Sequence, residues 1–145
     1  MSSPLARLAS ARLGAAVAAL LVLAAPAASQ APSPEDDEVP RLAPVEVAAY
    51  LAETPGAQIL DVRRPAEVAL SGRLAEATVI DVSVPGFERR ATDLLDPERP
   101  VVVYCRSGGR AGRAAEILAG LGFGPLVNAG GFAALADAGL PTASP

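Results

Sequence analysis

A single cysteine and the loop that follows it are the residues with the clearest potential for chemistry. Cys105 is the only cysteine in 145 residues, and the segment 105–110 has the sequence CRSGGR. The two glycines let successive backbone N–H groups turn toward one point, and a helix that begins near Arg110 adds further N–H groups. A concave group of amides of this kind binds anions. The loop is therefore predicted to lower the thiol pKa of Cys105 and to make the sulfur a nucleophile.

An inert, buried cysteine is the alternative interpretation. Free cysteine is among the most buried residue types, and Cys105 follows the strongly β-branched segment 101–104. Taken alone, that position favours a structural role. The glycine pair and the flanking arginines, Arg106 and Arg110, serve no purpose at an inert core position, so the loop as a whole favours the reactive thiol.

The composition removes several other classes of chemistry. The chain contains no histidine, which excludes Cys-His and Ser-His-Asp catalysis and histidine-based metal sites. No paired-carboxylate spacing suggests a metal, so we expect neither a metal nor a cofactor. A formal net charge of −4 argues against general nucleic-acid binding, which depends on basic side chains. Locally, Arg106, Arg110 and Arg113 form a basic cluster beside Cys105 that suits a small anion.

Apolar, strand-like runs alternate with helical patterns within a single predicted domain at 41–143. Strands are predicted at 59–62, 78–82, 101–104 and 126–128, and helices from 44 to near 54, at 65–70, 87–95 and 111–121, and just before Gly139. This alternation predicts an α/β fold with a central, mainly parallel sheet covered by helices on both faces. In open sheets of this kind ligands bind beyond the carboxyl ends of the strands, where Cys105 is placed.

The N-terminal residues are predicted to lie outside that domain. Two arginines precede a short apolar run at 13–25 that ends in small residues, a pattern typical of a secretory signal peptide over 1–29, with cleavage after Ala27 or Ser29. An uncleaved N-terminal anchor is the alternative. Residues 30–40 form a Pro-rich acidic linker. We expect export to a bacterial periplasm, without stable membrane association after cleavage.

Three ordered motifs resemble those of single-domain rhodanese-like sulfurtransferases of the thiosulfate sulfurtransferase type. The segment 101–113, VVVYCRSGGRAGR, resembles the family's active-site signature. Residues 60–63, LDVR, with Pro65 and Glu67, resemble its Asp-Val-Arg strand end, and residues 128–132, NAGGF, resemble its double-glycine turn. The resemblance covers nearly the whole predicted domain and implies a rhodanese-like α/β fold.

The resemblance implies covalent catalysis in two half-reactions. Cys105 would attack the outer sulfur of a small anionic donor such as thiosulfate, form a persulfide, and pass that sulfur to cyanide or to a thiol, a protein thiol included. Five consecutive backbone N–H groups would hold the charge of the persulfide: those of Arg106, Ser107, Gly108, Gly109 and Arg110. The side chains of Arg106 and Arg110 would bind the donor.

Three further candidates each have two interpretations. In the family, residues such as Asp61 and Arg63 mostly tie the end of the sheet to neighbouring loops. Asp61 is therefore expected to be structural, and a buried Asp61–Arg63 pair near the pocket would be purely structural. Arg63, with Arg64, either adds positive potential at the mouth of the pocket or lies on a solvated surface, which is the simpler account. Arg113 is either an outer contact for the donor or an exposed helix residue near Glu116.

The sequence departs from the family pattern in two places. Residues 72–77 read GRLAEA where the family commonly has GHIPGA, which leaves the conformation of this loop and of one pocket wall open. Leu135 occupies the usual Trp position, which removes a large packing residue. Neither change touches the cysteine loop.

Two other functions compete with sulfur transfer. A rhodanese-fold module that binds or carries sulfur for a partner would keep the same loop. A cysteine phosphatase or arsenate reductase is less favoured. The phosphatases that share the fold place Arg six positions after the cysteine, where this chain has Ala111, whereas Arg110 comes five after. The tighter loop suits a sulfur atom better than a phosphoryl group.

Overall fold

Helices and strands alternate along residues 38–145, the part of the chain that this computed structural model describes. The helices are α1 (Pro44–Glu53), α2 (Pro65–Ser71), α3 (Phe87–Leu94), α4 (Gly109–Gly120) and α5 (Phe132–Asp137). The strands are β1 (Gln58–Asp61), β2 (Arg73–Leu74), β3 (Thr78–Val79), β4 (Val101–Cys105), β5 (Leu126–Gly131) and β6 (Thr142–Ala143). The predicted leader at 1–29 and the linker as far as residue 37 lie outside the described residues.

One predicted strand is shorter than expected. The strand predicted at 78–82 is limited to Thr78–Val79. Beyond it the Asp81 carboxylate accepts hydrogen bonds from the backbone N–H and the hydroxyl of Ser83. This local pairing turns the chain, because an aspartate that binds the backbone two residues on stabilises a turn instead of a ladder.

Four strands form a parallel sheet in the order β3-β1-β4-β5. β4 lies in its interior, and all five of its residues are buried. The carboxyl ends of parallel strands meet at one edge of a sheet, so Asp61, Cys105 and Gly131, each the last residue of its strand, lie at the same edge. Cys105 pairs with Gly131 after a register shift in the β4–β5 ladder between Val103 and Cys105.

The two faces of the sheet bury separate apolar clusters. Side chains alternate along a strand, so Val101, Val103 and Cys105 face one cluster while Val102 and Tyr104 face the other. The first cluster includes residues of α3 and α4, and the second includes residues of α1 and α5. Helices thus cover both faces, as the sequence predicted. None of the helices formed by the described residues is long and apolar enough to cross a membrane.

The altered loop at 72–77 is held by the end of the chain. β2 pairs antiparallel with β6, and the backbone N–H of Leu74 donates to the Tyr104 hydroxyl at 2.9 Å. A side chain at Gly72 would place its Cβ 2.6 Å from the Ala143 carbonyl oxygen. Leu135 is fully buried in the second cluster, where it packs without the large ring expected at that position.

Candidate active site

The Cys105 sulfur lies at the centre of a turn of backbone N–H groups. The Gly108 N–H donates to Sγ at 3.0 Å. Burial alone would raise the pKa of the Cys105 thiol. The backbone N–H groups of Ser107, Ala111, Gly108 and Arg110 outweigh that effect, and the pKa lies below its ordinary value. The sulfur is therefore poised to exist as a thiolate, the nucleophilic form.

Two glycines allow this turn to form. Gly108 has a φ of +102°, a left-handed conformation that costs other residues energy. It caps α4, whose Gly112 N–H donates to the Gly108 carbonyl at 2.9 Å. At Gly131 an added Cβ would collide with the Arg106 carbonyl oxygen. The cysteine loop and the end of β5 thus approach each other more closely than side chains permit.

Arg110 is engaged by a carboxylate that the sequence analysis treated only as part of a motif. Its Nη1 and Nη2 donate to the two carboxylate oxygens of Glu67 at 2.7 and 2.8 Å. The hydrogen bonds from Arg110 lower the pKa of Glu67 to about 2. Both terminal nitrogens of Arg110 are occupied, so direct donor binding by this side chain stays a prediction.

Arg106 carries the exposed guanidinium of the loop. It lines a cavity of about 300 Å³ at the same edge of the sheet, together with Arg63, Glu67, Leu70, Ser71, Phe132 and Ala133. Most of the exposed wall of this cavity is apolar, and Arg106 contributes positive charge. Arg106 is the residue of the cysteine loop that lines this cavity, so the cavity borders the loop on the side of the exposed guanidinium.

The structure corrects the simpler account of Arg63. This residue is 3% exposed, whereas Arg64 lies on the surface. The Arg63 guanidinium binds the Asp61 carboxylate at 2.6 Å and the Gly72 carbonyl at 2.7 Å. It also lies over the Phe132 ring, 4.4 Å from its centroid. Arg63 is buried because the Asp61 carboxylate and the face of the Phe132 ring both bind its charge. The Asp61–Arg63 pair thereby ties the end of β1 to the loop after α2.

Arg113 is exposed on α4 and lines a second cavity, of about 700 Å³, together with Gly108 and Glu116.

Sequence reasoning missed two residues that hold the loop from behind. Arg41 donates from Nη2 to the Ser107 carbonyl at 3.0 Å, and Asn128 donates from Nδ2 to the Gly108 carbonyl at 3.2 Å. Asn128 belongs to a motif that the sequence analysis quoted, so its place near the site was within reach. Arg41 lies 66 positions before Ser107, and no local pattern connects the two.

The comparisons with known proteins agree with this geometry. A family model described as "Rhodanese-like domain" matches residues 43–138. The chain is a member of the rhodanese-like family. The matched span contains the four-stranded sheet, the cysteine loop and the Arg110–Glu67 pair, and it begins just after Arg41.

Relatives of this rhodanese-like chain include named sulfur-transferring proteins. A sulfurtransferase of Allochromatium vinosum is 35% identical over 96 residues, which cover 66% of this chain and 86% of the relative. The polysulfide-sulfur transferase of Wolinella succinogenes is 30% identical, with a TM-score of 0.61 over 74% of this chain and 80% of the other. An Escherichia coli rhodanese solved with anions is 32% identical, with a TM-score of 0.50 over 61% and 99%. These relatives support a transferase of the rhodanese family.

Proposed function

We propose that this chain is a sulfurtransferase that moves a sulfane sulfur from thiosulfate or a similar donor to cyanide or a thiol through a persulfide on Cys105. The observation that carries the proposal is the buried sulfur that accepts a hydrogen bond from the Gly108 N–H, with a thiol pKa that this N–H and those of Ser107, Ala111 and Arg110 lower against the effect of burial. These backbone N–H groups enlarge the ionised fraction of the thiol, and that gain outweighs the partial loss of intrinsic nucleophilicity that accompanies a lower pKa.

The reaction balances in two displacements. The Cys105 thiolate attacks the outer sulfur of thiosulfate, a new S–S bond forms, and the donor's S–S bond breaks with its electron pair leaving on sulfite. Cyanide or a thiolate then attacks the outer sulfur of the persulfide, and the Cys105 thiolate departs. The amides that face Sγ stabilise negative charge in both steps.

The access to the sulfur supports a donor with a terminal sulfur atom. Cys105 is 1% exposed, so a reactant must reach it with one protruding atom instead of a broad group. The outer sulfur of thiosulfate or polysulfide meets that requirement better than a phosphoryl group with three oxygens. The exposed guanidinium of Arg106 at the adjacent cavity attracts an anionic donor. The relatives named for polysulfide-sulfur transfer and for bound anions agree with this choice.

A protein thiol is a second acceptor that one observation favours. Leu70 lines the cavity beside Arg106 and is 88% exposed. Leu70 forms one continuous apolar wall with Phe132 and Ala133, and contiguous exposed apolar area beside a site is the kind of surface that a protein partner covers. In this form of the proposal the chain delivers sulfur to a partner, and turnover with cyanide is incidental.

A donor panel tests the proposal. Thiosulfate, mercaptopyruvate, polysulfide and p-nitrophenyl phosphate are each offered to the purified domain, and mass spectrometry follows Cys105. We expect one added sulfur on Cys105 from thiosulfate or polysulfide and no release of phosphate. Cys105→Ser must lose both the added sulfur and the turnover. Sulfur transfer that persists in Cys105→Ser, or turnover of the phosphate ester alone, contradicts the proposal.

We further propose export to a bacterial periplasm, which the leader-like pattern at 1–29 supports. The full chain expressed in a bacterium should appear in the periplasmic fraction with a new N-terminus after Ala27 or Ser29. Retention in the cytoplasm or in the membrane, with residue 1 intact, contradicts export with cleavage.

A further inference from the structure

The Ser107–Gly108 peptide group is hydrogen-bonded at both of its ends. Its N–H, on Gly108, donates to Cys105 Sγ at 3.0 Å. Its carbonyl oxygen, on Ser107, accepts from Nη2 of Arg41 at 3.0 Å. A peptide group is planar and carries one dipole along its N–H and C=O bonds. The guanidinium of Arg41 and the cysteine sulfur therefore bind opposite poles of the same dipole.

The backbone holds Arg41 in place behind the loop. Leu42 donates its N–H to the Asn128 carbonyl at 3.1 Å, and the Asn128 N–H donates to the Pro40 carbonyl at 2.9 Å. These two bonds make Arg41 a parallel bridge partner of Asn128. The backbone of Arg41 is thus anchored on both sides to β5, the strand that neighbours β4, and the hydrogen bond to Ser107 holds its exposed side chain at the loop.

The guanidinium fits against glycine backbone. A Cβ on Gly108 would lie 2.8 Å from Cζ of Arg41, and a Cβ on Gly130 would lie 3.6 Å from Nη2. Asn128 spans the same two glycines, since it donates to the Gly108 carbonyl and accepts from the Gly130 N–H at 3.0 Å. The guanidinium occupies space that the absence of a side chain at Gly108 leaves open, whereas a Cβ on Gly130 would lie at ordinary contact distance.

We propose that Arg41 is a positioning residue for the Cys105 nucleophile, whose guanidinium fixes and polarises the Ser107–Gly108 peptide group so that the Gly108 N–H points at the sulfur. Hydrogen bonds from a charged donor are about twice as strong as neutral ones, and bonds in a chain strengthen one another. The N–H therefore becomes a better donor to the thiolate. The inference rests on the proposed function, in which that thiolate is the nucleophile.

Other charged groups also act on this sulfur. Arg110 of α4 interacts electrostatically with Cys105, and Arg110 in turn interacts with Glu67 of α2 and with Asp81 in the segment after β3. None of these three residues is hydrogen-bonded to Arg41, whose side chain bonds the Ser107 carbonyl. A difference between Arg41 variants consequently reports on Arg41 and on the peptide group that it binds.

The test compares Arg41→Ala and Arg41→Lys with the wild-type protein and with Arg89→Ala, whose arginine is 87% exposed on α3. The rate at which iodoacetamide alkylates Cys105, followed across pH, reports the thiolate without any sulfur donor. We expect Arg41→Ala to move the midpoint of this profile to higher pH. It should also lower kcat/KM for sulfur transfer at neutral pH, by at most about tenfold for each unit by which the pKa rises. Arg41→Lys should move the midpoint less, and Arg89→Ala should not move it.

The pH profile separates positioning from a general loss of structure. A structural defect lowers the rate at every pH, whereas loss of positioning is reversed at alkaline pH, where the thiol ionises without help. A folded Arg41→Ala protein with an unchanged midpoint overturns the inference.

If Arg41→Ala does not fold, Arg41→Lys decides the matter through the same midpoint and through the ¹H–¹⁵N chemical shift of the Gly108 amide, and the inference fails if neither changes. Wild-type protein that is alkylated at low pH but transfers no sulfur contradicts the proposed function and leaves the role of Arg41 standing, because alkylation needs no donor.

Discussion

β1 and β4 end side by side at one edge of the sheet, and each end holds a negative group by different means. At the end of β4 backbone N–H groups surround the Cys105 sulfur. At the end of β1 the Arg63 side chain binds the Asp61 carboxylate with three hydrogen bonds, from Nε and Nη2. The first arrangement depends on the path of the chain, and the second depends on one guanidinium.

The difference explains why one group is suited to reaction and the other to support. Backbone amides enlarge the ionised fraction of the Cys105 thiol, and the thiolate is the nucleophilic form. A carboxylate held by a buried guanidinium has its charge cancelled, and removal of its partner would leave that charge buried alone. Side-chain substitution should therefore damage stability at the end of β1 and reactivity at the end of β4.

Arg63→Ala should have the largest effect on stability. It leaves the Asp61 carboxylate buried without its partner, so the free energy of unfolding should fall by about 3 to 5 kcal/mol. Urea denaturation measures this change, and Arg64→Ala, at the exposed neighbouring position, is the matched control. A loss for Arg63→Ala as small as that of the control would show that Asp61 does not need the guanidinium.

Gly108→Ala should lower the reactivity of Cys105 by more than its loss of unfolding free energy alone would predict. The left-handed φ costs a residue with a Cβ about 1 to 2 kcal/mol, and the methyl group would also displace the Arg41 guanidinium. The rate of Cys105 alkylation at neutral pH should fall, because the Gly108 N–H turns away from the sulfur. Gly109→Ala is the control for stability, since its methyl group would meet no atom within 4 Å. Equal losses of unfolding free energy in the two variants would contradict this account.

The lowered pKa of Cys105 gives the amide turn a pH-dependent stability. A thiol whose pKa is lower in the folded state stabilises the fold fully above its unfolded value, about 8.5, and loses that contribution as the pH falls through the folded value. The difference in unfolding free energy between wild type and Cys105→Ser should therefore grow in favour of wild type as pH rises from about 6 to 9. Urea denaturation at both pH values measures it, and a constant difference would mean that the amides do not favour the thiolate.

Of these variants, Glu67→Gln should lower the free energy of unfolding least. It should also change the apparent KM for thiosulfate, which tests whether Arg110 binds the donor. The pKa of Glu67 is lowered from 4.5 to about 2 by Arg110, so the pair stabilises the fold above pH 4.5 and is lost as pH falls through about 2. The pair is partly exposed, and its loss at neutral pH should cost less than about 1 kcal/mol.

The same variant shows whether Arg110 binds the donor. Glu67→Gln frees the Arg110 guanidinium, so the apparent KM for thiosulfate should fall, whereas Arg110→Ala should raise it. Steady-state kinetics with thiosulfate measure both constants. An unchanged KM in both variants would show that Arg110 faces away from the donor.

The parts of the site that depend on neighbouring residues were predictable from sequence. The β-branched run before Cys105, the glycine pair and the helix that follows lie within one short segment, so their geometry follows from local preferences. The order of strands and helices was predictable for the same reason, although the strand at 78–82 was overestimated because the Asp81 turn competes with it.

Long-range pairings were not predictable in this way. The bond between Arg41 and Ser107 joins distant segments, and an exposed arginine before a helix looks like many others. The burial of Arg63 depends on the Phe132 ring and the Gly72 carbonyl, which the fold brings together. β2 and β6 are too short to leave a hydrophobic pattern, since each contributes two residues.

The pairing of β6 with β2 holds in place the backbone segment that binds the Arg63 guanidinium. Thr142 and Ala143 fix β2, and Gly72, just before it, supplies the carbonyl that receives the guanidinium. Both tail residues lie beyond 43–138, the span that the family model recognises. A domain limited to residues 43–138 would keep every motif of the family. It would lose the β2–β6 pairing, which supports one wall of the pocket.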